Sequence, residues 1–261
     1  MDDGSNVPLD AVVAPFRDRL DLVLIRQANA GPARARNVGV ARARGTLLVF
    51  TDDDVEPLPD WLDLLSAKLR STPNAMVGGW TENGLPGNMC SEASQLLVDY
   101  LYRVFRRGEN LLLLTTNNLA IRREDMARIE GFDENYPLAA AEDRDLCDRW
   151  LEKGGRIVLV PEAKIHHFHR LTLWRFLRQH FNYGRGAWMF RLARARRRQA
   201  AISIEPSQFY KNLLLFPFQK HRGLGAWILV ALMFLTQVAN ALGFFWEKFF
   251  GTFVPRVARR D

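Results

Sequence analysis

Residues 46–57, TLLVFTDDDVEP, constrain the fold more than any other stretch of the chain. Residues 46–50 form a short, apolar, β-rich run, the pattern of a buried strand. Three consecutive carboxylates follow, Asp52, Asp53 and Asp54. Pro57 and Pro59 then interrupt regular structure, and a helical pattern starts near Trp61. The carboxylates therefore sit just past the C-terminal end of a strand, where open α/β sheets bind ligands. Adjacent carboxylates repel one another unless a cation is shared, and hard oxygen ligands suit Mg²⁺ or Mn²⁺. A solvated acidic turn with a helix N-cap fits the same residues.

The surrounding pattern alternates strands and helices. Ser5 or Asn6 caps a helix running to about Leu20, and residues 21–26 (DLVLIR) read as a strand. Gly31-Pro32 opens a helix through Ala43. A helix is expected over 60–70, a short strand at 75–77, a Gly/Pro/Asn-rich loop over 81–91, an amphipathic helix over 93–106 and a strand at 119–121. Residues 142–153 give a helix ended by Gly154-Gly155, and residues 156–160 a strand ended by Pro161. His166, His167 and His169 then fall in a loop. This alternation predicts an α/β fold with a doubly wound, mostly parallel sheet. Cys90 and Cys147 are too few for a disulfide framework or a zinc site, which points to a reducing compartment.

The C-terminal third changes character. The chain turns helical from Leu171 and becomes basic, with Arg191, Arg194, Arg196, Arg197 and Arg198 as the main concentration of a net charge of +7. That cluster reads as a contact for anionic lipid rather than nucleic acid, because an apolar stretch follows it. Residues 224–246 contain no Asp, Glu, Lys or Arg, long enough to cross a bilayer, with Trp227 and Trp246 near the ends. Gln237 and Asn240 interrupt it and suit a helix facing a partner instead. Three segments are expected: an α/β ligand-binding unit over 1–170, a basic and aromatic helical segment over 171–222, and a membrane-inserted helix with a basic tail over 223–261.

Several segments, in order, resemble family-2 glycosyltransferases with a GT-A fold. Asp2-Asp3-Gly4-Ser5 resembles the family's VDDGS turn. Residues 29–37 resemble its NxGxxxARN segment, and FTDDD at 50–54 its DXD motif. Gly78-Gly79 and Asn117-Asn118 resemble its acceptor-side sheet, Glu142-Asp143 its ED motif, and His167 the histidine after the last core strand. PLPDWL at 57–62 and FNYGRG at 181–186 belong to the same pattern. The strand, loop and helix that precede VDDGS in the family are absent here, so an N-terminally truncated version of the fold is expected.

The resemblance implies sugar transfer from a nucleotide-diphosphate donor to a hydroxyl acceptor, with inversion and a Mg²⁺ or Mn²⁺ cofactor. Asp3 would bond the nucleotide base, Asp52 would face the ribose or a metal-bound water, and Asp53 and Arg36 would belong to the donor site. Asp54 and His167 would hold the metal. Asp143 would be the general base, and Glu142 would position the acceptor or cap the helix. Arg144 would pair with a carboxylate or a phosphate. The partners implied are a nucleotide sugar, a glycan or lipid-linked acceptor and a membrane, with no nucleic acid. The implied setting is the bacterial inner membrane with the catalytic unit in the cytoplasm. A nucleotidyltransferase and a catalytically inactive, membrane-anchored scaffold are the rival readings.

Overall fold

The computed structural model describes residues 1–251 apart from 109 and 203; the basic tail expected over 252–261 lies outside the described residues. A seven-stranded sheet is built from β1 (Leu47–Phe50), β2 (Val55–Pro57), β3 (Ala75–Asn83), β4 (Arg106–Arg107), β5 (Asn110–Leu111), β6 (Leu119–Arg122) and β7 (Arg156–His167). The strand order is β1-β6-β3-β7-β5-β4, with β2 paired to β7. The helices are α1 (Asp10–Val13), α2 (Pro32–Arg42), α3 (Trp61–Ser71), α4 (Met89–Val104), α5 (Arg123–Arg128), α6 (Glu142–Glu152), α7 (Leu173–Arg198), α8 (Ser207–Leu215) and α9 (Gly223–Phe250).

The α/β class and the double winding are as expected. Strand alternation sends Met76, Ile157 and Leu159 to one face, against Leu146 and Trp150 of α6. Ala75, Val77, Val158 and Val160 go to the other, against Trp61, Leu65 and Leu69 of α3.

The sheet is mixed rather than mostly parallel. Among the described residues β3 and β7 are the parallel pair of strands. The pairs β1–β6, β3–β6, β2–β7, β5–β7 and β4–β5 are antiparallel. The parallel expectation assumed a crossover helix before each strand. Instead α4 and the β4–β5 hairpin return the chain to the far end of the sheet, so β6 enters between β1 and β3 running backward.

Three further elements differ from the sequence reading. The helix expected up to Leu20 shrinks to α1 and a 3₁₀ turn, Ala14–Phe16, with Pro15 inside it. Residues 21–26 form a single parallel bridge, Asp2 with Arg26, because only Asp2 runs alongside them. β7 continues through Pro161 to His167. Val160 pairs with Gly79 and Lys164 with Trp80, so residues 161–163 bulge out of the ladder and the missing Pro161 N–H breaks no pairing.

The bulge explains Gly78-Gly79 and Asn118. A Cβ on Gly79 would lie 1.8 Å from the Ala163 carbonyl oxygen. Asn118, fully buried, donates to that carbonyl at 3.1 Å and accepts from Trp61 Nε1 at 2.8 Å.

The C-terminal helices join the same body. Leu96 and Tyr100 of α4 share a core with Phe176 of α7, Leu213 of α8 and Leu229 and Met233 of α9. α7 and α9 touch backbone to backbone. A Cβ on Gly184 would lie 2.0 Å from the Asn240 oxygen, and one on Gly243 1.9 Å from the Phe181 oxygen. Arg185 Nε donates to the buried Glu247 carboxylate at 2.7 Å, fixing the register of the pair. α9 is long and apolar enough to cross a membrane, with mean hydropathy 2.0. Its inward face is buried, whereas Leu224, Trp227, Phe234, Leu242, Trp246 and Phe249 are exposed.

Three arginines of the cluster, Arg194, Arg197 and Arg198, pair with acids of α6. Arg197 reaches Asp145 at 2.7 Å, Asp148 at 2.8 Å and Glu152 at 3.1 Å. Arg198 pairs with Asp148 and Glu152, and Arg194 with Asp148. These guanidiniums neutralise the acidic face of α6, which the sequence separates from them by some fifty residues.

Candidate active site

Local sequence places the carboxylates. β1 ends at Phe50, and residues 51–54 turn the chain into β2. β2 pairs antiparallel with the end of β7, setting Val55 opposite His167. That register brings the neighbouring Asp54 to His167: Nε2 lies 3.2 Å from Oδ1. The hydrogen bond from His167 holds the Asp54 carboxyl below its usual range. His167 stacks on His169 at 5.0 Å between ring centroids. His166 and His167 are thus strand residues, not loop residues, and Pro161 was the misleading signal.

A second cluster joins residues far apart in the chain. Arg36, on α2, donates to Glu142 Oε1 at 2.7 Å and to Asp52 Oδ1 at 3.4 Å. It therefore ties the carboxylates after β1 to the first turn of α6. Glu142 is buried, and its side chain sits in the first turn of α6 with Arg36 as its partner, the N-cap position being Ala141. Residue Ala141, the N-cap, has φ 72°, a left-handed conformation that costs of order 1–3 kcal/mol in a non-glycine residue. Gly186 of α7 packs beneath this turn, where a Cβ would lie 2.4 Å from the Ala140 oxygen.

Asp143 follows on α6. Burial, reinforced by the neighbouring Glu142 charge, pushes its carboxyl up to about 7, against the pull of its bond from the Arg144 N–H and of Arg36. A carboxyl poised there is able to exchange a proton near neutral pH. It lines a cavity of about 650 Å³ that runs from Arg36, Asp52 and His167 to α4, α7 and α9.

Of the expected donor-site residues, Arg36, Asp52 and His167 reach this cavity, and Asp54 joins it through His167. Asp53 is exposed and does not line it. Nor does Asp3, whose carboxylate accepts from Gln27 Nε2 at 2.7 Å and from the Ala30 and Gly31 N–H groups, both at 2.9 Å. Asp3 thereby shapes the turn into α2. Tyr183, Gln179, Gln237 and Asn240, none of them assigned to the site from the sequence, also stand at the cavity wall. Two polar residues within the apolar run of α9 were the available signal for the last pair. Gln179 Nε2 donates to the Tyr183 hydroxyl at 3.0 Å.

Among the described residues no group of three or more His, Cys, Asp or Glu side chains is placed to hold a metal. Asp54 and His167 bring one carboxylate and one imidazole together. That fits a hard divalent cation whose remaining ligands are substrate phosphates and water.

Comparison with known proteins gives the same picture. Residues 1–129 match the glycosyl transferase family 2 model, and residues 114–172 match one described as the N-terminal domain of galactosyltransferase. A pre-mycofactocin glycosyltransferase of Mycobacterium tuberculosis is 29% identical over 194 residues, covering 72% of this chain and 40% of the relative. The chain thus spans about two fifths of the length of that curated relative. GalNAc-T7, solved with UDP, GalNAc and Mn²⁺, superposes with a TM-score of 0.53 at 16% identity, over 95% of this chain and 49% of the other. Staphylococcus aureus TarS 1-349, solved with UDP-GlcNAc, gives 0.52 at 15% identity, over 93% and 78%. These likenesses at low identity carry the GT-A fold, and the family match makes residues 1–129 a glycosyl transferase family 2 segment.

Proposed function

We propose that the chain transfers a sugar from a nucleotide-diphosphate donor to a hydroxyl acceptor, inverting the anomeric carbon. The observation that carries this reading is Asp143, a carboxyl pushed up to about 7 at the wall of the cavity that Arg36, Asp52 and His167 also line. In this reading Asp143 takes the proton from the acceptor hydroxyl as that oxygen attacks the sugar from the face opposite the leaving diphosphate. A positioned base typically contributes ~10²–10⁴-fold. Arg36 holds Asp52 and Glu142 together, so the donor and acceptor sides keep a fixed separation.

Asp54 and His167 would hold Mg²⁺ or Mn²⁺, and the cation supplies positive charge against the departing diphosphate. The neighbours solved with UDP, Mn²⁺ and UDP-GlcNAc support a uridine nucleotide and a divalent cation here. Asp3 orders the turn over 27–31 from which a base would be read, and Asp53 stays with solvent. The exposed apolar face of α9 supports attachment to a membrane, with the catalytic unit on the cytoplasmic side and a lipid-linked or envelope glycan as acceptor. The proposed division into 1–170, 171–222 and 223–261 then separates chemistry, docking helix and anchor.

Calorimetric titration with UDP and GDP, with and without Mn²⁺, tests the donor site. Metal-dependent UDP binding that Asp54→Ala abolishes is expected. Binding indifferent to metal and to Asp54 removes the reading.

A further inference from the structure

The cavity continues past Asp143 into a chamber that donor chemistry does not explain. Among its lining residues is the half-buried Arg144. The guanidinium lies over two rings, 4.6 Å from the Phe190 centroid and 5.8 Å from that of Phe105. Among the described residues it makes no hydrogen bond and no ion pair, although it lines the cavity. Burial and the Arg191 charge lower its pKa to about 10, so it remains a cation at neutral pH.

The other arginines of this region have acids of their own. Arg194, Arg197 and Arg198 sit on Asp148 and its neighbours, and Arg36 on Asp52 and Glu142. The acids that act on Arg144 are Glu205 and Asp143, and neither forms an ion pair with it. Arg191, over the Phe244 ring at 5.8 Å, adds a second guanidinium to the same wall. The same cavity is also lined by the apolar Leu97, Leu101 and Phe209. A guanidinium packed on rings at a cavity wall without an acceptor leaves its donors unused, and its planar fork matches a carboxylate or phosphate.

We propose that Arg144 is an oxyanion subsite for the acceptor, which therefore carries a phosphate ester or a carboxylate on an apolar body close to its reacting hydroxyl. This rests on the reading of the Asp143 cavity as the acceptor site. The subsite lies one residue from the base, so the bound anion fixes which hydroxyl meets Asp143. Glu205, facing the same cavity, disfavours anions and keeps the free site from trapping solvent ions.

The full chain in neutral detergent is titrated with phenyl phosphate, benzoate and phenyl β-glucoside, in the absence of metal and again with UDP and Mn²⁺ present. Phenyl phosphate or benzoate binding at least tenfold tighter than phenyl β-glucoside is expected, and the tighter anion names the source. Arg144→Met keeps the apolar stem between the rings and is expected to reduce the anion to the level of the neutral probe, while UDP–Mn²⁺ binding is unchanged. Arg144→Lys is expected to fall between, and Glu205→Gln to tighten the anion several-fold. Equal binding of charged and neutral probes to the parent chain overturns the proposal, whether or not Arg144→Met folds. So does anion affinity within twofold of the parent in folded Arg144→Met. Loss of UDP binding alone counts against the donor reading and leaves the anion result standing.

Discussion

The two ends of the cavity are built on opposite electrostatic plans. At the donor end the charged cavity residues answer one another within the protein: Arg36 bridges Asp52 and Glu142, and His167 meets Asp54. At the acceptor end Asp143 and Arg144 are neighbours on α6 without a mutual ion pair, one pushed toward neutrality and the other packed on rings. The paired end is a rigid cradle whose geometry is set before ligand arrives. In the proposed function the unpaired end would hold its ionisable groups in reserve, one for a proton and one for a charge, so that binding energy is available for reaction. Both ends start from the same turn, Ala140 to Asp143, wedged against α7 by Gly186.

Asp143→Asn separates the ends most sharply. Transfer is expected to fall by ~10²–10⁴-fold, with UDP–Mn²⁺ affinity unchanged. Wild-type turnover in a radiolabelled sugar-transfer assay removes Asp143 as the base.

The next effect is structural. Arg197→Ala removes the guanidinium shared by Asp145 and Asp148, while Arg149 still pairs with Asp145 and Arg194 and Arg198 with Asp148, so the expected loss is ~1.5–3 kcal/mol, that of a charge-assisted hydrogen bond. Urea unfolding is expected to show that loss, and a change below ~1 kcal/mol would return the cluster to the surface charges, where pairs contribute little.

Gly79→Ala tests the bulge beneath the site. The added Cβ meets the Ala163 carbonyl, and overpacking of this kind costs ~1–3 kcal/mol or more. Unchanged thermal stability would mean that 161–163 gives way freely.

The smallest effect is a shift in pH dependence. The base must be ionised to act, so kcat/KM is expected to rise tenfold per pH unit below about 7 and to level above it. The Glu142 charge raises Asp143, and Glu142→Gln therefore moves this limb to lower pH. Arg36 lowers Asp143, and Arg36→Gln moves it to higher pH. A limb indifferent to both substitutions would separate Asp143 from the paired donor end.

Local chemistry in the sequence was enough for the α/β class, the strand before Asp52, the helix starting at Glu142 and the apolar stretch at 224–246. Each depends on short-range periodicity, on Gly and Pro breaks, or on a motif whose spacing the chain shows directly. The order of segments also carried the family. What only the tertiary structure decided are the long-range encounters. The antiparallel entry of β6, the bulge that carries β7 past Pro161 to His167, and the pairing of Arg197 with an acidic face about fifty residues away leave no local trace. Nor does the isolation of Arg144, because an arginine in a sequence looks the same with or without a partner. Strand register and charge pairing are settled by which surfaces are buried together, and burial is a property of the assembled fold.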